Sequence, residues 1–239
     1  MISKNRIKQI HALARKKGRQ ADGLFVAEGP KLVRELQDTF ELAALFDDLT
    51  EDELNRASLQ QSPQGPIALF KIPVWELPRP KSGTLYLALD TVQDPGNLGT
   101  IVRVADWFGI EDIVCSPDSA DIFAPKAVQA TMGAMARVRV HYTDLTQWLT
   151  QAANEGIPVY GTFLDGDNLY EKELAPGGII VMGNEGNGIS QAVRQMVSHR
   201  LLIPNYHVGS ETAESLNVAI ATAITCAEFR RRTGTVSFP

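Results

Sequence analysis

Residues 85–109 read LYLALDTVQDPGNLGTIVRVADWFG. Leu85 to Leu89 is a near-continuous apolar run, the pattern of a strand buried on both faces. Gln93-Asp94-Pro95-Gly96-Asn97 is turn chemistry, and the segment after it predicts a helix reaching Phe108 with Gly109 as its stop. Strand, loop and helix in this order form the repeating unit of a parallel α/β sheet. The unit recurs toward the C-terminus. Strands are predicted at 113–115, 138–141, 159–163, 179–182 and 201–203, with helices starting near Pro125, Asp144 and Ser190 and a last, Ala-rich helix over 215–232. The fold class is therefore α/β, with a mostly parallel sheet over 84–239.

Upstream, residues 1–71 alternate on a smaller scale. They predict a basic helix over 4–17, strands at 24–27, 42–46 and 67–70, a helix over 30–37 and an acidic helix over 51–60. Pro73, Pro78 and Pro80 fall within 72–83, a run that suits neither a helix nor a central strand and reads as a semi-rigid linker. The expected organisation is a small α/β domain (1–71), a Pro-rich linker (72–83) and a larger domain (84–239).

Charge is segregated along the chain. The first twenty residues carry seven bases, among them Lys4, Arg6, Lys8, Arg15, Lys16 and Arg19, and no acid; removing those seven from the net −5 leaves −12. A basic helix suits phosphate contacts with a nucleic acid. It equally suits a solvated face. Ile7, Ile10, Leu13 and Ala14 give the segment an apolar stripe, which sets it apart from the targeting leader that its charge imitates. Arg230, Arg231 and Arg232 close the last helix, where basic residues complement the helix dipole. Cys115 and Cys226 form neither a disulfide framework nor a zinc pair, and point to a reducing, cytoplasmic compartment. The longest uncharged apolar-leaning stretch, 215–227, is 13 residues, short of the roughly 20 that span a bilayer, so no membrane segment is expected.

Open parallel sheets bind ligands at the carboxyl ends of their strands, so the loops there carry the functional question. Three are distinctive. Residues 94–103 imitate a dinucleotide fingerprint, but Asp94 stands where its first glycine belongs. Gly183-Asn184-Glu185-Gly186-Asn187-Gly188 has Walker-like glycine spacing, but Ile189 takes the place of the phosphate-binding lysine. The third runs from Ile203-Pro204-Asn205 to Glu214-Ser215-Leu216-Asn217, where polar residues open an otherwise apolar helix. Singly, each has an ordinary explanation: Asn97 as a turn or cap residue, Arg103 paired along a helix face, Glu185 as a loop carboxylate, Ser215 and Asn217 as caps.

Together, N-x-x-x-x-x-R (Asn97 to Arg103), G-N-E-G (Gly183 to Gly186) and I-P-x followed by E-S-L-N-V-A (Ile203 to Ala219) resemble the three motifs of the SpoU (TrmH-like) branch of the SPOUT RNA methyltransferases. The resemblance spans residues 84–232. Gly23-Leu-Phe-Val-Ala-Glu-Gly29 also resembles the start of the substrate-binding domain that precedes the catalytic domain in ribosomal-RNA members. What the resemblance implies is a homodimer with a C-terminal trefoil knot, moving the methyl of S-adenosylmethionine to a ribose 2′-hydroxyl, with ribosomal RNA favoured as substrate. A transfer-RNA 2′-O-methyltransferase and a non-catalytic RNA-binding SPOUT homologue are the alternatives. By the same resemblance, Thr162, Leu164, Met182, Gly183, Asn184, Glu185, Ile203, Leu216 and Asn217 line the cofactor pocket. Asn97, Arg103, Glu185, Ser215 and Asn217 serve catalysis. His207 and Glu211 fall in the third motif without an assigned role.

The chemistry constrains Arg103 further. Methyl transfer from a sulfonium needs no metal, but it needs an alcohol oxygen aligned with the methyl and relieved of its proton. Taking a proton from a guanidinium of pKa about 12.5 at pH 7 costs about 7.5 kcal/mol. A clamp on the neighbouring phosphate that also stabilises charge developing on the oxygen therefore suits Arg103 better than the role of base.

Overall fold

The strand that opens the decisive stretch, Leu85–Leu89, has every side chain buried, and Pro95–Trp107 follows it as a 13-residue helix. In the computed structural model, which describes residues 1–207 and 214–232, these are β4 and α5. Before them lie α1 (Lys4–Ala12), α2 (Lys16–Asp22), β1 (Leu24–Glu28), α3 (Pro30–Gln37), β2 (Leu42–Phe46), α4 (Glu51–Ala57) and β3 (Ile67–Lys71). After them come β5 (Asp112–Cys115), α6 (Pro125–Thr131), β6 (Arg139–Tyr142), α7 (Leu145–Asn154), β7 (Val159–Asn168), β8 (Gly178–Met182), α8 (Gln191–Arg194), β9 (His199–Leu202) and α9 (Val218–Arg232).

The strands form two sheets. The first three make an antiparallel sheet in the order β1-β3-β2, and the rest a six-stranded sheet in the order β6-β5-β4-β8-β7-β9, parallel at every pairing. The α/β class and the mostly parallel sheet are as the sequence predicts. No helix of the described residues is long and apolar enough to cross a membrane. Residues 208–213, in the C-terminal part where the resemblance implies a trefoil knot, lie outside the described residues.

Several boundaries differ from expectation for identifiable reasons. The basic helix expected over 4–17 is two helices, because Arg19 folds back and donates to the carbonyls of Leu13 (2.8 Å) and Ala14 (3.1 Å), satisfying carbonyls freed where α1 ends. The turn brings Gly18 so close that a Cβ there would lie 2.0 Å from the Ala12 carbonyl oxygen. The acidic helix stops at Ala57 rather than residue 60, since Ser58 is extended and gives its hydroxyl to the buried Glu28 carboxylate. The last helix starts at Val218, three residues late, because Asn217 caps it: Asn217 Oδ1 accepts from the N–H groups of Ala219 (2.9 Å) and Ile220 (3.3 Å). β7 extends to Asn168, with a register shift against β9 between Thr162 and Asp167.

One apolar cluster runs between the two sheets, beside a further cluster on the other face of each. Phe25, Phe40 and Phe70 of the N-terminal sheet region and Phe123 of the loop before α6 pack in one aromatic group, with Phe25 at 5.1 Å from Phe123 and 5.2 Å from Phe40. Such pairs add about 0.5–1.5 kcal/mol each beyond the area they bury. On the other face of the large sheet, α7 covers Tyr86, Val181 and Ile179 with Trp148 and Leu149. Trp148 Nε1 also donates to the Pro78 carbonyl (2.7 Å) and straps the irregular segment 72–83 to the sheet.

The arginines that end α9 are spent on structure. Arg230 donates to the carbonyls of Phe108 (2.7 Å) and Gly109 (2.9 Å), closing the C-terminus of α5. Arg231 and Arg232 grip Glu228, whose carboxyl is nearly inaccessible, and Arg232 reaches the carbonyls of Leu169 and Tyr170. The Arg231 hydrogen bond, opposed by burial and reinforced by Arg232, holds the Glu228 carboxyl at about 2.

Candidate active site

Parallel strands deliver their carboxyl ends to one rim of the sheet, where loops converge. β8, β7 and β9 are neighbours there. Met182 ends β8, Thr162 of β7 pairs with Leu201 of β9, and Ile203 follows β9 directly. Thr162 Oγ1 donates to the Val181 carbonyl at 3.5 Å and lies 3.7 Å from the Met182 sulfur, drawing these ends together.

The loop after β8 is held by its own asparagine. Asn184 Oδ1 accepts from the N–H groups of Gly186 and Asn187, both at 2.9 Å, while Asn184 Nδ2 donates to the Thr91 carbonyl at 2.8 Å. At Gly183 a side chain is impossible, since a Cβ would lie 2.3 Å from the Gly188 carbonyl carbon. Thr91 sits at φ +60°, a costly backbone for a β-branched residue. Its N–H donates to Ser116 Oγ (2.9 Å), and its hydroxyl donates to Asp90. Asp90, itself buried, accepts from the Ser190 N–H at 2.7 Å. The turn after β4 and both ends of the loop after β8 are thus one bonded assembly.

The loop after β4 is set by Asp94, which caps α5 by accepting from the Asn97 N–H at 2.9 Å and pairs with Lys126 at 2.6 Å. The Lys126 bond first, and then the Asn97 amide, hold the Asp94 carboxyl below the ordinary carboxylate range. From this cap a chain of side chains crosses all three loops. Asn217 Nδ2 donates to Asn97 Oδ1 (3.0 Å), and Asn97 Nδ2 donates to Glu185 Oε1 (3.0 Å). Its polarity is forced. Asn217 Oδ1 faces helix N–H donors, which turns its amide nitrogen toward Asn97; a carboxylate only accepts, which turns the Asn97 nitrogen toward Glu185.

Asn97, Glu185 and Asn217 therefore meet. Arg103 does not join them: it is exposed, six residues further along α5, and makes no hydrogen bond or ion pair with any described residue. Ser215 is exposed just before α9, and Leu164 and Leu216 are apolar side chains 75% and 51% exposed. His207 donates its backbone N–H to Asn205 Oδ1 (2.9 Å), and Glu211 lies outside the described residues. Sequence reasoning passed over Asp90; the available signal was an acid closing a wholly apolar strand.

Of the basic N-terminal residues, Lys4, Arg6, Lys8, Arg15 and Lys16 are exposed. A hollow of about 560 Å³ lies among them, with Arg6, Lys8 and Asp22 in its wall, far along the chain from the three-loop assembly. Arg19 is a correction: it is 3% exposed, and its guanidinium binds Asp121 of the loop before α6 at 2.6 Å and 3.1 Å as well as the carbonyls of Leu13 and Ala14. It fastens the N-terminal helices to the large sheet and has no face left for a phosphate.

With this geometry in view, residues 84–227 match the SpoU rRNA Methylase family and residues 4–48 match the MRM3-like substrate binding domain. The chain belongs to the SpoU rRNA Methylase family. Among SpoU relatives, it is 33% identical over 177 residues to the 23S rRNA (guanosine(2553)-2′-O)-methyltransferase RlmP of Bacillus subtilis, covering 74% of this chain and 68% of that protein. A TrmH-family structure from Porphyromonas gingivalis superposes with a TM-score of 0.87 at 42% identity, over 97% of this chain and 99% of that one. An rRNA methyltransferase from Sinorhizobium meliloti, solved bound to S-adenosylmethionine (AdoMet), superposes with a TM-score of 0.87 at 28% identity, over 98% and 97% of the two chains.

The SpoU cofactor suits the residues present. A rim of strand-end backbone groups, a glycine that admits no side chain and two exposed leucines offer hydrogen bonds and apolar cover to a flat, partly apolar ligand.

Proposed function

We propose that this chain methylates a ribose 2′-hydroxyl of ribosomal RNA, working as a homodimer in the cytoplasm. The observation that carries the reading is the Asn217–Asn97–Glu185 chain, which ties the three motif loops into one platform at the carboxyl ends of β4, β8 and β9. Thr162, Leu164, Met182, Gly183, Asn184, Ile203 and Leu216 would hold AdoMet, which supplies an electrophilic methyl group on a sulfonium.

The chain's own residues do the rest. Arg103 clamps the phosphate beside the target ribose and stabilises negative charge growing on the 2′-oxygen, while the 2′ proton passes to that phosphate or to water. Asn97, Glu185 and Asn217 hold the loops rigid, and Ser215, two residues before Asn217, orients the ribose. Exposed Lys4, Arg6, Lys8, Arg15 and Lys16 supply phosphate contacts from residues 1–71, the substrate-binding unit. Trp107 on α5 and Ile220 on α9, 85% and 52% exposed, support the homodimer, since packed helices seldom leave such side chains in water. Buried free Cys115 and Cys226 suit a reducing compartment.

The experiment is incubation of the full chain and methyl-labelled AdoMet with ribosomal RNA from cells lacking the protein. Incorporation at a single 2′-O-methyl site is expected. Methylation of a base, or no incorporation, would overturn the reading.

A further inference from the structure

Between the two domains, beside the active loops, lies a cleft of about 320 Å³. One wall is Leu59 and Gln60; the other is Gly96 at the start of α5 with Pro125, Lys126 and Gln129 of α6. Gly96 directly precedes Asn97, so the cleft opens next to the Asn217–Asn97–Glu185 chain.

The cleft has the makings of a reading site. The carboxamides of Gln60 and Gln129 are half-buried, and neither is hydrogen-bonded to any described residue. A carboxamide that water reaches and no protein group engages is free to exchange that water for the polar edge of a ligand. Each offers both a donor and an acceptor, as the edge of a nucleobase does. Leu59 and Pro125 give an apolar surface for a base face, and the Lys126 ammonium, paired with Asp94 at 2.6 Å but 65% exposed, keeps N–H donors open toward a phosphate. The volume is near the lower limit of small-molecule clefts, about 300 Å³, the scale of a single nucleotide.

The Gln60 wall is held from below. Glu28, 3% exposed on β1, accepts the Ser58 hydroxyl and the Leu59 N–H (2.8 Å), and Ser58 Oγ accepts the Gln60 N–H (3.0 Å). This buried carboxylate explains why the last residue before Gly29 is an acid in an otherwise apolar strand. It hangs the 58–60 turn at a fixed height opposite α6.

We propose that this cleft binds the base of the nucleotide adjoining the methylated one in single-stranded RNA, with Gln60 and Gln129 reading its edge and Lys126 taking a phosphate. The site rests on the RNA reading above and adds to it a contribution of the N-terminal domain to sequence choice.

The test uses the full chain with ribosomal RNA from cells lacking the protein. Replacing Gln60→Ala and Gln129→Ala together is expected to raise KM for this RNA about tenfold, leaving kcat and AdoMet affinity as they are. The isosteric pair Gln60→Glu and Gln129→Glu, which keeps the shape and adds negative charge, should raise KM further. A photo-crosslinking residue at position 129 should stop reverse transcription within about two nucleotides of the methylated ribose. Unchanged KM in both double variants, or crosslinks confined to distant nucleotides, would overturn the cleft while leaving the methyltransferase reading intact. A wild-type chain that methylates no ribose in this RNA would sink that reading, and the cleft with it.

Discussion

Asn97 and Glu185, 88 positions apart in the chain, are joined by a 3.0 Å hydrogen bond whose direction the carboxylate dictates. Replacing Asn97→Asp keeps the shape and sets two carboxylates against each other. The methyl-transfer kcat should fall about 100-fold, a loss of about 2.7 kcal/mol and within the range for a charge-assisted hydrogen bond. Far-ultraviolet circular dichroism should be unchanged. Full activity in Asn97→Asp would show that the bond does not serve the reaction.

Arg103 has no protein partner among the described residues, so its removal strands nothing. Arg103→Ala is expected to abolish methyl transfer and leave AdoMet affinity, measured by calorimetric titration, nearly unchanged. Joint loss of both would move Arg103 from the ribose to the cofactor.

Phosphate contacts by the exposed bases of α1 and α2 carry a salt signature. Each neutralised phosphate contributes roughly 0.7 to 0.9 to the log–log slope of affinity against salt. Changing Lys4, Arg15 and Lys16 together to Gln should flatten that slope by about one to three units and weaken all RNAs alike, with methylation at saturating RNA preserved. An unaltered slope would make these residues a solvated face.

Arg19 should behave differently. Arg19→Met leaves Asp121 and the carbonyls of Leu13 and Ala14 without their donor, and the protein should lose about 3 kcal/mol, the low end for breaking a buried pair because Asp121 stays 18% exposed. Urea unfolding of Arg19→Met, Asp121→Asn and the double variant would give the coupling; additive losses would refute the tie.

Glu228 gives the fold a pH dependence of known sign. Its carboxyl is held at about 2 against an ordinary 4.5, so the stabilisation it supplies is complete above about 4.5 and disappears as pH falls through about 2. Glu228→Gln should cost about 2 kcal/mol at neutral pH, and its deficit against the parent should shrink on acidification across that window. A deficit independent of pH would assign the effect to packing.

What the sequence revealed and what it hid divide by the range of the deciding interaction. The apolar run of β4 and the Asp94-Pro95-Gly96 turn announce themselves because strand burial and helix entry are decided within a few residues. The break between α1 and α2 was hidden because Ile7, Ile10, Leu13 and Ala14 keep a helical period straight through it; the break goes with a guanidinium whose partner, Asp121, is 102 residues away. Asp90 was likewise unreadable, its Ser190 N–H lying 100 residues on. The meeting of Asn97, Glu185 and Asn217 was approached through likeness to a family, since no local pattern relates three loops so far apart in the chain.

The aromatic junction of Phe25, Phe40 and Phe70 with Phe123 bears on cooperativity. Because one apolar cluster runs between the two sheets, loss of the smaller one would open Phe123 and its surroundings to water and so couple their melting. Scanning calorimetry of the whole chain should therefore give a single heat-absorption peak with equal van't Hoff and calorimetric enthalpies. A chain cut near Lys81 would begin life with that interior already exposed.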